Sequence, residues 1–106
     1  MAENMVLTES TYYILLSLVT PQHGYGIMQQ TSELSEGHVK IGSGTMYGAT
    51  SNMMKKGWIR ETLSNNPDDK RKRLYELTAL GREVLENEIL RIKHLVACSD
   101  RVIKGE

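Results

Sequence analysis

Thr45, Tyr47, Ser51, Asn52, Lys55 and Lys56 place hydroxyl, phenol, amide and ammonium groups within one stretch, Gly42 to Gly57, that holds no acid. Such groups recognise nucleic acid: Asn pairs bidentately with adenine, Thr contacts a thymine methyl or a phosphate, and Lys holds phosphates. Read as a helix, the stretch has Ser43 as its N-cap, because a serine oxygen accepts a free first-turn N–H. Gly57, just past Lys55 and Lys56, is its stop, and the cations suit the negative end of the helix. Met46, Ala49 or Thr50, and Met53 recur at helical spacing as an apolar stripe. The opposite face carries Thr45, Gly48, Ser51 or Asn52, and Lys55. That face fits a helix laid into the major groove of DNA; the plainer alternative is a polar helix in water.

A second set of groups follows. Lys70, Arg71, Lys72 and Arg73 are four successive cations on the returning arm of an expected hairpin, and they read either as phosphate ligands or as a solvated charge run. Tyr47 either touches DNA or packs against that hairpin, and Tyr25, between two glycines, is a phosphate contact or a core aromatic. Trp58 reads as core or dimer packing. Other chemistries find little support. No Ser/His/Asp set, phosphate loop or paired acids in a plausible cleft is evident, and Glu33 and Glu36 read as helix-surface charges. Catalysis is therefore not expected, and neither is a cofactor. His94 and Cys98 stand at i and i+4, a spacing that could hold a metal across a dimer, but with no CxxC or HxxxH the expected metal site is none. Cys98 alone could act as a thiol sensor. The six methionines read as soft core filler.

The elements that must position these groups are bounded by length and charge. With 106 residues the chain is expected to form one small domain. A single cysteine excludes an internal disulfide framework and fits a reducing cytoplasm. There is no apolar run long enough to span a membrane, and no signal-peptide pattern at the N-terminus. The net charge is zero, with 13 basic and 13 acidic residues, yet the charges are segregated. Residues 1–39 hold four acids and no Lys or Arg, whereas residues 40–73 hold eight cations against three acids. Phosphate binding depends on such local excess.

Taken in order, Thr8 and Glu9 start a helix that runs to about Val19 or Thr20, ahead of Pro21. Tyr12, Leu15, Leu16 and Val19 share one face, widened by Ile14 and Leu18. A helix so apolar must be buried, in part against a second surface. Pro21 to Gly24 is a turn, and a second helix runs from about Tyr25 to Ser35, with Ile27, Met28, Thr31 and Leu34 inward and Gly37 as its end. The polar-faced helix comes third, completing a helix-turn-helix pattern. Trp58 to Leu63 and Lys70 to Leu77 then read as two strands around the turn formers Ser64 to Asp69. This hairpin is a wing.

Thr78 caps a last helix from Ala79 to Ser99 or beyond. Leu85, Ile89, Ile92, Val96, Ser99 and Ile103 step by 4, 3, 4, 3 and 4 residues, which is an a/d seam. Arg82, Glu83, Glu86, Glu88, Arg91 and Lys93 are expected mostly elsewhere on its circumference. So long a helix cannot be covered by so small a domain, and the simplest partner is a second copy. Tyr12, Leu15, Leu16, Leu85, Ile89, Ile92 and Val96 are the expected dimer contacts. The expected fold is mainly α with a small β-hairpin: a winged helix-turn-helix over residues 1–78 and a dimerisation helix over residues 79–106, in one compact domain.

The motifs Leu7-Thr8-Glu9 with Tyr12-Tyr13-Ile14-Leu15, His23-Gly24-Tyr25-Gly26-Ile27, Gly44-Thr45-Met46-Tyr47, and Arg71 to Gly81 occur in this order. Together they resemble the PadR family of bacterial transcriptional regulators, in its compact subfamily with a single C-terminal helix. The resemblance implies a sequence-specific, homodimeric winged-helix repressor on a pseudo-palindromic operator, released by a small aromatic or planar ligand. It implies that the helix matching Ser43 to Lys56 enters the major groove, that Tyr47 lies on the DNA-binding surface, and that Lys70 to Arg73 reach the backbone or minor groove. Two departures stand out: Asp68 and Asp69 make the wing tip acidic, and the last helix lacks the ligand-sandwiching tryptophan of multidrug-sensing members. The expected DNA-binding set is Tyr25, Ser43, Thr45, Tyr47, Asn52, Lys55, Lys56, Arg71, Lys72 and Arg73. The alternative is a winged-helix protein-interaction module without specific DNA binding.

Overall fold

The computed structural model describes residues 5–63 and 73–105. Its elements are α1 (Glu9–Ser17), α2 (Gly24–Leu34), α3 (Ser43–Lys55), β1 (Ile59–Leu63), β2 (Arg73–Leu77) and α4 (Ala79–Lys104). The expected class, mainly helical with one antiparallel hairpin, is the one observed.

Local chemistry sets the boundaries. Thr8 caps α1, its side-chain oxygen accepting from the Thr11 N–H at 3.2 Å. The helix stops at Ser17, short of the expected Val19 or Thr20. The Leu18 and Val19 N–H groups bond to the carbonyls of Leu15 and Leu16, three residues back, which tightens the last turn before Pro21 disfavours helical backbone at Thr20. Val19 is left about half exposed. The second helix starts and ends one residue earlier than expected, and Leu34, read as inward-facing, is about half exposed, while Ile27 and Thr31 are buried. Glu36 and Gly37 turn the chain with φ of 54° and 81°. Gly42, not Ser43, is the N-cap of α3; no side chain caps it, and Ser43 is its first helical residue. The ladder begins at the Gly42 carbonyl, which accepts from the Met46 N–H at 3.0 Å.

The core is Ile14, Leu15 and Leu18 of the first helix and its end, Ile27, Met46, Met53, Trp58, Ile59, Tyr75, Val84 and Leu85. Burying each large side chain contributes about 1.5–3 kcal/mol. α1 packs on α2 and α4, and α2 on α3, so the third helix is held by its Met46, Thr50 and Met53 face alone. The strands pair from Ile59 opposite Leu77 to Leu63 opposite Arg73. The turn before α2 joins this sheet: Gln22 and Tyr75 exchange backbone hydrogen bonds at 3.1 and 2.8 Å.

α4 is anchored at its start. The Thr78 hydroxyl donates to the Gly57 carbonyl at 2.6 Å and accepts from the Gly81 N–H at 3.0 Å, while the Thr78 N–H reaches the Trp58 carbonyl at 3.0 Å. The helix has 26 residues, hence a length of about 39 Å. Glu88, expected on its outer circumference, is instead buried. Its carboxylate accepts two bonds from Arg91, at 2.6 and 2.8 Å, and one from the Leu7 N–H at 3.0 Å. An i,i+3 acid–cation pair is normally a surface feature; the N-terminal segment folding over Glu88 is what buries it.

The expected dimer contacts divide. Leu15 and Leu85 lie inside the chain's own core and present no surface to a partner. Tyr12, Leu16, Ile89 and Ile92 are partly buried, and Val96 is exposed. Beyond it Leu95, Val102 and Ile103 are also exposed, so the far half of α4 carries apolar surface that this chain leaves open.

Candidate nucleic-acid interface

The third helix presents to solvent the face its spacing predicts. Ser43, Thr45, Tyr47, Ser51, Asn52, Lys55 and the following Lys56 are all exposed, opposite the buried Met46, Thr50 and Met53. Gly44 and Gly48 lie on the same open side, with no atom within 4 Å of where a Cβ would stand. Nothing within the chain requires these glycines, and each costs a helix about 1 kcal/mol relative to alanine. Their absent side chains leave room for a surface approaching from outside.

Tyr47 is 58 % exposed and does not pack into the hairpin. Its hydroxyl lies 4.0 Å from the Cβ position of Gly24, at the start of α2, where Tyr25 is 65 % exposed. Of the two readings of Tyr25, the core aromatic is therefore excluded. Two phenols thus flank the α2–α3 junction. Lys56 is the least free of the cations, with its ammonium 4.7 Å from the centre of the Trp58 ring, a cation–π contact. Trp58 itself is buried in the core.

The hairpin base is held beside this surface. Besides the Gln22–Tyr75 pairing, the His23 ring nitrogen Nδ1 lies 3.2 Å from the Arg73 carbonyl oxygen. Two ion pairs cross the strands, Arg60 with Glu76 at 3.3 Å and Arg73 with Glu61 at 3.4 Å. Arg73 is thus exposed but partly neutralised, which its place in a run of cations did not reveal. Glu61 and the bridge of Gln22 were missed in the sequence. The period-2 register could have placed Glu61 near Arg73, but no local signal marks Gln22 in a turn as a sheet partner. Lys70, Arg71, Lys72 and the wing tip Ser64 to Asp69 lie outside the described residues.

The His94 and Cys98 pair meets on α4, Sγ 3.6 Å from Nε2, and Arg101 donates to the same sulfur at 3.2 Å. Among the described residues no third His, Cys, Asp or Glu joins them to hold a metal. No described helix is long and apolar enough to cross a membrane.

A helix-turn-helix with an acid-free outward face, followed by a hairpin, is the architecture of a DNA reader. The sequence model of the PadR-like transcriptional regulator family matches residues 14–87. The chain belongs to this family. It is a DNA-binding transcriptional regulator, of a family whose members are regulators and not enzymes. Solved structures of similar fold include a PadR family regulator from Clostridium difficile, at TM-score 0.73 and 23 % identity, covering 91 % of this chain and 99 % of that one. A PadR-like regulator from Bacillus cereus aligns at TM-score 0.72 and 18 % identity, covering 92 % of each chain. BpsR from Bordetella bronchiseptica, whose DNA binding is regulated by 6-hydroxynicotinic acid, aligns at TM-score 0.68 and 19 % identity over 87 % of this chain and 60 % of that one. No curated protein matches the sequence. At these identities the structural likeness establishes the fold, and the PadR assignment rests on the family match.

Proposed function

We propose that this PadR-like chain is a homodimeric repressor that sets α3 into the major groove and its wing against the phosphates of a pseudo-palindromic operator. The observation that carries this reading is the exposed, acid-free face of α3, with Thr45, Tyr47, Asn52 and Lys55 outward and two unconstrained glycines among them. Asn52 and Thr45 read base edges, Ser43 and Tyr47 position the helix, and Lys55, Lys56, Tyr25, Arg71, Lys72 and Arg73 hold phosphates. Residues 1–78 form the DNA-binding unit and residues 79–106 the dimerisation helix. The open apolar surface at Val96, Val102 and Ile103 supports pairing of two copies. Two recognition helices would then stand about 34–36 Å apart, one turn of DNA. A small aromatic or planar ligand releases the DNA, a reading supported by the family resemblance and by the regulation of BpsR, a protein of similar fold, by 6-hydroxynicotinic acid. The cytoplasm is where such a repressor meets its operator.

The test is fluorescence anisotropy of a labelled duplex from the gene's own upstream region, at low and physiological salt, with unrelated DNA as competitor. Specific binding survives the competitor and weakens steeply with salt. Binding lost to competitor would leave only a basic surface. No binding even at low salt would bring forward a protein-interaction module.

A further inference from the structure

A groove of about 240 Å³ runs between the N-terminal segment, the first turn of α1 and the C-terminal half of α3. Its walls are apolar at Leu7, Ala49, Met53 and Trp58, and Thr11, Asn52 and Lys56 supply the polar groups. Among the described residues that line it, Lys56 is the one charged side chain, and no acid faces it. The wall formed by Leu7 is fixed, because the Leu7 N–H donates to the buried Glu88 carboxylate at 3.0 Å.

We propose that this groove binds a small single-ring aromatic carboxylate, and that its occupation weakens the grip of α3 on DNA. The inference rests on the reading of the chain as a ligand-released DNA binder and names the site and class of that ligand. Three features select the class. The volume suits one substituted ring, since an engineered cavity of about 150 Å³ already holds benzene. The apolar walls, with an indole among them, favour an aromatic body. The Lys56 ammonium is already ordered over the Trp58 ring, so pairing it with a carboxylate costs little further side-chain entropy. Coupling follows from shared residues. Asn52 and Lys56 line the groove and also belong to the DNA-facing set, so a carboxylate on Lys56 removes a cation that a phosphate would otherwise hold. Linkage makes the effect reciprocal, with DNA weakening the ligand by the same factor.

Trp58 is the single tryptophan of the chain and reports on the groove directly. The full chain is titrated with benzoate, and with benzamide as an uncharged match, following Trp58 emission. Benzoate should give a saturable change with a Kd on the order of 0.1–1 mM for so small a ligand. Lys56→Gln should weaken benzoate by about tenfold, the loss of one charge-assisted contact, and leave benzamide unchanged. Thr11→Leu, which fills the groove from α1 and away from the DNA-facing side, should abolish the change while leaving operator affinity intact. Ala49→Leu provides a second filling variant should Thr11→Leu lose its helical circular-dichroism spectrum. No saturable change, equal affinity for benzamide, or a response that persists in a folded groove-filling variant would each overturn the site. Release of operator DNA by benzoate without a Trp58 response would overturn it too. A groove that binds benzoate in a chain that never binds operator would leave the site standing and remove the DNA-release reading instead.

Discussion

Gly81, in the first turn of α4, lies directly against the carbonyl of Trp58, so close that a Cβ at this position would overlap the carbonyl oxygen. The obstacle is backbone. It cannot swing aside as a side chain would, and the same oxygen is already bound by the Thr78 N–H. A methyl group here must push the start of α4 away from the base of the wing. Gly81→Ala is expected to destabilise the fold by about 2–4 kcal/mol, at the upper end for overpacking. Urea denaturation followed by Trp58 emission checks this, and a change below 1 kcal/mol (about a few degrees in Tm) would show that the junction yields.

Thr31 presents the opposite case. It is fully buried on α2, and its hydroxyl has no hydrogen-bond partner. Leaving such a group unsatisfied costs about 1–3 kcal/mol. Thr31→Val keeps the branched shape, removes the hydroxyl and is expected to raise stability by about 1 kcal/mol. A fall in the thermal midpoint would show instead that the hydroxyl is satisfied in solution.

The Glu88 carboxyl is held below its ordinary range, chiefly by the Arg91 hydrogen bonds and further by the Leu7 N–H, against the opposing effect of burial. Its pKa is therefore lower in the folded than in the unfolded chain. The stability it contributes is fully present above the unfolded value, near 4.5, and is lost as pH falls through the folded value. Glu88→Gln should cost about 1–3 kcal/mol at neutral pH, less than for a fully buried pair because Arg91 can turn to water. It should also flatten the acid limb of the stability curve between wild type and variant. Parallel pH dependences would mean that the carboxylate is not paired in solution.

The helices, the wing and the outward face of α3 could be read from the chain because each is written in local spacing: Met46, Thr50 and Met53 against Thr45, Asn52 and Lys55. What the sequence hid is long-range. Glu88 looks like any surface acid until residues near Leu7 close over it, 81 positions away. Leu15 and Leu85 fit a seam by period, yet periodicity cannot say whether the partner is the same chain or another. Ser43 failed as a cap for the opposite reason, a one-residue shift in a Gly-rich start where the backbone of Gly42 takes that place without a side chain.

Charge on the wing gives the last prediction. A run of cations suggests equal phosphate contacts, but Arg73 shares its guanidinium with Glu61 at 3.4 Å, whereas Lys55 has no acid on its own face of α3. Lys55→Ala should therefore lower operator affinity and reduce the magnitude of the log–log salt slope by about 0.9, one phosphate contact. Arg73→Ala should do less of both. Glu61→Gln should act in the other direction, freeing Arg73 and raising affinity up to about fivefold at low salt, the scale of an exposed pair of at most ~1 kcal/mol. The gain should vanish in the Glu61→Gln/Arg73→Ala double variant if the acid acts through Arg73. A gain that survives there would mean that Glu61 repels the phosphates directly.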